Sequence, residues 1–141
     1  VGSEMCIRDR RSTIDYIGAV QGIPVCFDAK ECVAETFPLQ NIHEHQVEFM
    51  KNFEKQQGIA FILIYYSSRN ILYYMRFEEL YKFWMRAQNG GRKSFRFDEL
   101  DERFFMKFFR GCYVPYLDAL NLDLELRDEL DKTDETAYNA K

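Results

Sequence analysis

The sequence lacks any apolar run long enough to cross a membrane, and its beginning lacks the charged-then-apolar pattern of a secretion signal. Its longest apolar run, Ile59 to Tyr66, is far shorter than the roughly 20 residues that a membrane-spanning helix needs. A CxxC pair is also missing from the four scattered cysteines, and Cys26 falls on a predicted strand. Zinc and a disulfide framework are therefore disfavoured, and we expect a cytoplasmic protein with reduced thiols.

A strongly basic charge is missing as well, because the formal net charge is −4 at pH 7. The charge is unevenly divided: residues 118–141 carry eight acidic and three basic side chains, and residues 1–117 carry fifteen and sixteen. The acidic C-terminal part therefore hides a nearly neutral body. That body is less basic than a module that holds DNA by charge alone, so we expect DNA contacts to rely on local patches or a second subunit.

The sequence also lacks the low hydrophobic content that is typical of disordered chains. Its 47% hydrophobic and 16% aromatic residues exclude an intrinsically disordered body. We expect one globular domain over residues 11–117, followed by an acidic helix and a disordered tail over residues 118–141. Residues 1–10, VGSEMCIRDR, have no initiator methionine in the first position and no periodicity. They resemble translated adapter sequence, and we expect them to be a disordered, non-native artefact.

A predicted β-hairpin near the start of the chain carries the main candidate site. The runs Thr13–Val20 and Ile23–Lys30 are rich in β-branched and aromatic residues, and only Gln21-Gly22 separates them. A two-residue loop fixes the register of the two strands. In that register Asp15 lies opposite Asp28, with the Cβ atoms about 5 Å apart.

Two carboxylates placed face to face repel each other and destabilise a sheet. Lys30, two residues beyond Asp28 on the same face, would offset this charge, and so would a divalent cation with oxygen ligands. Mg²⁺ held by Asp15, Asp28, the Ala29 carbonyl and waters would suit phosphodiester hydrolysis, with Lys30 orienting or deprotonating the attacking water. From spacing alone, an exposed hairpin face with a surface salt bridge is an equally good interpretation.

A helix predicted over Ile42–Gln57 would bring Gln46 to the same site. The helix lies between the hairpin and the buried strand Ile59–Tyr66, so strand, helix and strand form one βαβ unit with the helix packed across the sheet. Gln46 could position water or phosphate at the acids, or its amide could simply bond to a neighbouring backbone group. His43 and His45 do not share a helical face, so they do not make a convincing zinc ligand set.

The remaining pattern predicts further elements: strand Ile71–Arg76, helix Phe77–Gln88, a short helix within Asp98–Phe109, edge strand Tyr113–Tyr116 and amphipathic helix Leu117–Leu130. The polar residues 131–141 are expected to be disordered.

A basic segment, Gly90-Gly91-Arg92-Lys93-Ser94, follows the end of the second predicted helix. It is not a P-loop, because loops that bind phosphate in that way precede a helix N-terminus. Arg92 and Lys93, together with His43, which should be the histidine nearer the acids, are candidate DNA contacts. An ordinary helix stop followed by a solvated charged loop is an equal alternative.

Four segments, STIDYIG, VCFDAKE, FPLQNIHEHQ and GGRKS, resemble the RecU family of Holliday-junction resolvases in the PD-(D/E)xK nuclease superfamily. The resemblance covers roughly Arg11 to Leu126. It implies an α/β fold of the restriction-endonuclease-like type, a mixed β-sheet flanked by helices, with the first helix and strand of the family missing. It also implies that residues 11–117 form a nuclease domain.

The resemblance assigns a magnesium-dependent site to Asp15, Asp28 and Lys30, with Gln46 as the matching glutamine. It implies a homodimer that introduces paired nicks across a four-way DNA junction in recombinational repair, with a recombinase as a further partner. Family members commonly carry Glu where this chain has Asp28, a shorter side chain that could shift the metal. The upstream region of the family is absent, which puts the activity of this chain in doubt.

Two other functions remain open from the sequence. One is a non-catalytic junction-binding accessory module of recombination, in which the acids are structural. The other is a related nuclease with a different DNA-shape preference.

Overall fold

The computed structural model describes residues 14–107 and 116–139, with the side chains of the last helix described over 118–132. In these ranges the chain forms seven strands and three α-helices, which are β1 Tyr16–Val20, β2 Ile23–Cys32, β3 Thr36–Pro38, α1 Glu44–Lys55, β4 Ile59–Tyr66, β5 Ile71–Arg76, α2 Phe77–Gln88, β6 Ser94–Arg96, β7 Phe105–Lys107 and α3 Tyr116–Asn139. Short 3₁₀ turns lie at Leu39–Asn41, Phe97–Glu99 and Glu102–Phe104.

The main sheet is mixed, with the strand order β1-β2-β4-β5-β7. Strands β2 and β4 are parallel, and the other neighbouring pairs are antiparallel. A second, two-stranded sheet pairs β3 with β6 and is held by the buried rings of Phe37 and Phe95, whose centroids are 5.0 Å apart. The mixed α/β architecture expected from the sequence is confirmed.

The hairpin turn has the geometry that the two-residue loop requires. Gln21 and Gly22 both have positive φ angles, 51° and 82°, as a type I′ turn demands at its two central residues. Val20 lies opposite Ile23, and the register continues to Tyr16 opposite Phe27. The predicted register is therefore confirmed within the described residues.

Helices cover both faces of the sheet. Consecutive residues of a strand point to opposite faces, and on β5 the hydroxyl of Tyr73 bonds to Glu79 of α2 while that of Tyr74 donates to Asp123 of α3 at 2.6 Å. Helix α2 thus packs on one face and α3 on the other. Strand β4 lies between them and is buried along almost its whole length, as predicted.

A partly buried ionic network, here called the Arg127 clasp, fastens α3 to the rest of the domain. Its members are Arg127, Glu54 and Asp123. The Arg127 guanidinium donates two hydrogen bonds to Glu54 of α1, at 2.8 and 2.9 Å, and its Nε donates to Asp123 at 2.9 Å. Burial is the largest effect on the pKa of Glu54 and raises it, while Arg127 lowers it.

Most predicted elements are confirmed, some with shifted ends. Strands β4 and β5 and helix α2 have the predicted bounds, whereas α1 is shorter than Ile42–Gln57. The chain leaves α1 through Gln57 in the left-handed region, with φ of 69°. The next residue, Gly58, has no room for a side chain, because an added Cβ would lie 2.4 Å from the Phe53 ring and 2.9 Å from the Phe53 carbonyl oxygen.

The C-terminal third departs more from expectation. The short helix predicted within Asp98–Phe109 is wrong, because its described residues form two 3₁₀ turns and β7. The last helix continues to Asn139, so residues 131–139 are helical rather than disordered. Residues 1–10 lie outside the described residues, and so do residues 113–115 of the edge strand predicted at Tyr113–Tyr116. Tyr116 is the first residue of α3. No helix among the described residues is long and apolar enough to span a bilayer.

Candidate functional site

Asp28 is the centre of the candidate site. It lies in the middle of β2, opposite Ile62 of β4, and is 2% exposed. Its Oδ2 atom is 3.0 Å from Nζ of Lys30, whose side chain is 23% exposed. A buried carboxylate needs charge pairing and hydrogen bonds to remain ionised, and Lys30 provides the first from two residues along the same face of the strand.

Asp15 lies directly before β1, where the register places it opposite Asp28. Its backbone N–H is 3.4 Å from Oδ1 of Asp28. The pKa of Asp15 is raised, first by the hydrogen bond between the two carboxyl groups, then by burial and by the charge of Asp28. The Ala29 backbone and Lys30 lower it by smaller amounts. The two acids are therefore as close as the hairpin register predicted.

Gln46 of α1 supplies the third contact to Asp28. The side chain is 6% exposed, and its Nε2 donates to Oδ2 of Asp28 at 3.3 Å. Its Oε1 accepts from the backbone N–H of His43, the N-cap residue of α1, at 3.1 Å. One amide thus closes the first turn of α1 and fixes the carboxylate beneath it. The backbone hydrogen bond expected for the simpler interpretation of Gln46 is present, and the same side chain also reaches Asp28.

The donor set suits a hard divalent cation. The two carboxylates offer the oxygen ligands that such a cation prefers, and the hydrogen bond and the charge of Asp28 both raise the pKa of Asp15. No group of three or more His, Cys, Asp or Glu in residues 14–107 and 116–139 is arranged to hold a metal, so the candidate is this pair. An exposed hairpin face with a surface ion pair does not describe the site, because Asp28 is buried.

The other predicted residues form no hydrogen bond or ion pair with Asp28 in the described part of the chain. His43 is exposed at the start of α1, with its ring stacked on that of His45 at 5.4 Å. Arg92 and Lys93 are exposed in the loop after α2, and Arg92 lies 3.5 Å from Glu99. Neither histidine belongs to a group of three or more potential metal ligands within the described residues.

The loop after α2 is held firmly against the segment that leads into α1. The backbone carbonyl of Lys93 accepts from the Leu39 N–H at 3.0 Å. Arg86 donates to the Ser94 carbonyl and to Glu99, each at 2.7 Å. The hydrogen bond from Arg86 is also the main reason that the pKa of Glu99 is lowered to about 2. The backbone of the loop is thus anchored, while the side chains of Arg92 and Lys93 remain exposed to solvent.

A cavity of about 590 Å³ between this loop, α2 and the turn at Leu39–Asn41 is a feature that sequence reasoning missed. Trp84 and Lys93 both line it. Trp84 of α2 is only partly buried. Helical periodicity gave no signal for the cavity, because its walls come from segments about 45 residues apart that only the fold brings together.

The two cysteines within the described residues, Cys26 and Cys32, are buried free thiols. Burial raises the pKa of Cys26 to about 12, so this thiol is unreactive. The expected reduced state is confirmed for these two.

Comparison with known proteins gives one consistent result. A family model described as Recombination protein U matches residues 4–122. A protein of Pediococcus pentosaceus named Holliday junction resolvase RecU is 37% identical over 118 residues, which are 82% of this chain and 59% of that protein. Proteins with the same name from Bacillus subtilis and Bacillus licheniformis are 40% and 47% identical, over 79% and 64% of this chain and 52% and 46% of theirs. The chain spans about half the length of these relatives.

Proposed function

The chain belongs to the Recombination protein U family, and from that premise we propose that it is a structure-specific DNA endonuclease that cleaves Holliday junctions by Mg²⁺-dependent phosphodiester hydrolysis. The observation that carries the proposal is the set of contacts to Asp28. A buried carboxylate is approached by a second carboxylate, a lysine and a glutamine amide, all from one hairpin and the helix that follows it. A fold that needed only stability would not place two acids face to face.

Each residue has a distinct role in the proposed reaction. Asp15 and Asp28 hold the cation, which when bound would polarise the scissile phosphate and acidify an adjacent water. Lys30 orients the attacking water and offsets phosphate charge. Gln46 holds the Asp28 carboxylate in one rotamer, because its amide is itself fixed by the N-cap of α1. Arg92, Lys93 and His43 contact the DNA backbone near this centre.

We also propose that the protein works in the cytoplasm as a homodimer on branched DNA, with a recombinase as a further partner. Strand β1 supports the dimer, since it lies at the edge of the described sheet and exposes apolar surface there. Tyr16 and Ile17 are 53% and 62% exposed. Adjacent apolar residues at a sheet edge are surface that a second subunit would cover.

The test compares variants of the protein expressed from its complete reading frame on a synthetic four-way junction. We expect Asp15→Asn and Lys30→Ala to abolish cleavage in Mg²⁺ while junction binding stays close to that of the unmodified protein. Asp98→Asn is the matched control, because it also removes one carboxylate charge and its side chain is 72% exposed. Undiminished cutting by either site variant contradicts the proposal.

The same assay separates the two alternatives. An accessory module would bind the junction equally well without divalent cations and would cut it under no condition. A nuclease with another shape preference would cut duplex or single-stranded DNA faster than the junction, and would still lose activity in Asp15→Asn.

A further inference from the structure

We propose that the cavity between the loop after α2, helix α2 and the turn at Leu39–Asn41 binds one unpaired nucleobase of the DNA strand that lies at Asp28, stacking it on Trp84 while Lys93 binds the adjoining phosphate. This inference rests on the proposed nuclease function and adds a recognition site to it. The cavity, called the Trp84 pocket below, has a volume of about 590 Å³, within the range of roughly 300–1,000 Å³ typical of small-molecule sites.

The indole of Trp84 is available for stacking. It is partly buried against the core at one side, and the pocket opens at the other. Among the described residues, no aromatic ring pairs with it and no hydrogen bond to its N–H is formed, although most neighbouring rings are stacked in pairs, such as Phe83 on Phe95 at 4.9 Å. An unpartnered aromatic face in a pocket is the feature on which unstacked bases bind, and it accepts any base because every base has a π-face.

The polar groups of the pocket suit a nucleotide. The amides of Gln40 and Gln88 stand at its exposed rim and can donate to and accept from a base edge. Lys93 stands there too, and no ion pair joins it to a described residue, whereas Arg92 beside it is paired with Glu99. Of these two side chains, Lys93, which has no ion pair with a described residue, is therefore the one that lines the pocket and can bind a phosphate there.

The pocket is rigid and lies close to the acids along the chain. The Lys93 carbonyl is hydrogen-bonded to the Leu39 N–H, so the loop and the turn that form opposite walls are joined. An added Cβ on Gly91 would lie 2.7 Å from the Arg86 carbonyl oxygen, so the sharp return of the loop requires glycine there.

The segment that forms the pocket wall runs directly into the N-terminus of α1. Ile42 lines the pocket, and Gln46, four residues further along the chain and so at most about 14 Å away, contacts Asp28. Because a DNA strand advances about 3.4 Å per nucleotide, a base in the pocket belongs to a nucleotide within a few positions of the phosphate at Asp28. Bases at a branch point are the ones least costly to unstack, so the pocket would favour DNA near a junction over a continuous duplex.

The experiment uses the single tryptophan of the chain as the reporter. The protein is titrated in a chelating buffer, where no strand is cut, with a short single-stranded oligodeoxynucleotide and with an abasic strand of the same length and charge. We expect the base-bearing strand to quench Trp84 emission to a saturating value and the abasic strand to bind more weakly without quenching. Equal quenching by both strands, or binding without quenching, overturns the proposal, as does a failure of both strands to bind.

Variants separate the stacking contact from the phosphate contact. With a labelled strand followed by anisotropy, Trp84→Leu should reduce the preference for base over abasic strand about tenfold, and Trp84→Phe should restore most of it. Lys93→Ala should weaken the binding of both strands by the same factor. It should also reduce the slope of log K against log salt concentration by about 1, with the same quenching of Trp84 at saturation. Lys55→Ala, at the exposed far end of α1, is the matched control and should change neither.

The result is independent of cleavage. Base-dependent quenching in a protein that cuts no junction would leave the Trp84 pocket standing and remove the proposed nuclease function. Junction cleavage without base-dependent quenching would support the nuclease function and contradict base binding in the Trp84 pocket. Loss of the anisotropy-measured preference for the base-bearing strand in Trp84→Phe as well as in Trp84→Leu would indicate a packing role for this side chain and contradict the stacking contact.

Discussion

Replacing Asp15 by Asn should stabilise the protein in the absence of divalent cations while removing its cleavage activity. The substitution keeps the shape of the side chain and removes one of two facing negative charges. Like charges directly opposite on a sheet cost roughly 0.2–1 kcal/mol, and Asp15 is exposed enough for solvent to screen part of this. We therefore expect a gain of about 0.5 kcal/mol, or about 2 °C in Tm for a domain of this size.

Replacing Lys30 by Ala should have the opposite effect on stability. It leaves the buried Asp28 carboxylate with its Gln46 hydrogen bond but without its cation. Removing one partner of a fully buried ion pair costs about 3–5 kcal/mol. Because the Lys30 side chain is 23% exposed, we discount this to about 2–3 kcal/mol, or about 7–10 °C in Tm. Two variants that both abolish cleavage thus differ in the sign of their stability change.

The pH dependence of the Asp15→Asn gain follows from the raised pKa of Asp15. In the unfolded chain the pKa of this carboxyl is near its ordinary value of 3.8, and in the fold the carboxyl retains its proton to higher pH. The stability linked to the bound proton is therefore complete below the unfolded pKa and is lost as pH rises through the folded pKa. The gain in the free energy of unfolding of Asp15→Asn should therefore be small at acid pH and reach its full value at neutral and alkaline pH.

The assay is urea unfolding at several pH values, with and without Mg²⁺. At a Mg²⁺ concentration ten times the dissociation constant, binding would stabilise the unmodified protein by about 1.4 kcal/mol. The order of stability would then reverse, because Asp15→Asn lacks one carboxylate ligand. The reasoning fails if Asp15→Asn is no more stable than the unmodified protein without metal, or if Mg²⁺ stabilises both by the same amount. Asp98→Asn should show neither effect.

Three further stability predictions concern packing and polar contacts. Gly58→Ala should cost about 1–3 kcal/mol because its Cβ would collide with Phe53, whereas Gly18→Ala, with no atom within 4 Å, should be within about 0.5 kcal/mol of neutral in urea unfolding; equal losses would contradict this. Arg127→Met should cost about 2–4 kcal/mol by leaving the two carboxylates of the clasp without their cation. The loss should be smaller at pH 5 than at pH 8, because burial raises the pKa of Glu54 and this carboxyl can take up a proton more readily at the lower pH; a loss independent of pH would count against it. Gln46→Leu should cost about 1–2 kcal/mol by chemical denaturation, since it removes a buried hydrogen bond and the closure of α1; an unchanged midpoint would refute it.

The sequence was sufficient for the hairpin and the βαβ unit because local rules determine both. A two-residue turn with positive φ at both positions permits one register, so the approach of Asp15 to Asp28 followed from counting. The contact from Gln46 followed from topology, since a helix that connects two parallel neighbours must pack across their sheet. In each case the sequence separation is short or the connection is stereochemically restricted.

The elements that sequence reasoning missed depend on distant contacts. Strands β3, β6 and β7 are three residues each, too short to show a period of two. The first two exist because Phe37 and Phe95 meet in the core, almost 60 residues apart along the chain. Likewise, Asp123 reads as one acid in an acidic tail, and only the fold reveals that it receives the hydroxyl hydrogen bond of Tyr74.

The two facing acids and the Arg127 clasp are in contact with opposite ends of α1. Gln46, in the first turn, bonds to Asp28, and Glu54, in the last turn, bonds to Arg127. These positions are about 12 Å apart along the helix axis, beyond the distance at which substitutions usually interact. The free-energy changes of Asp15→Asn and Arg127→Met should therefore add in the double variant. Additivity would mean that the clasp stabilises the domain without adjusting the acids, so that the charge conflict is relieved at the site itself, by Lys30 and the cation.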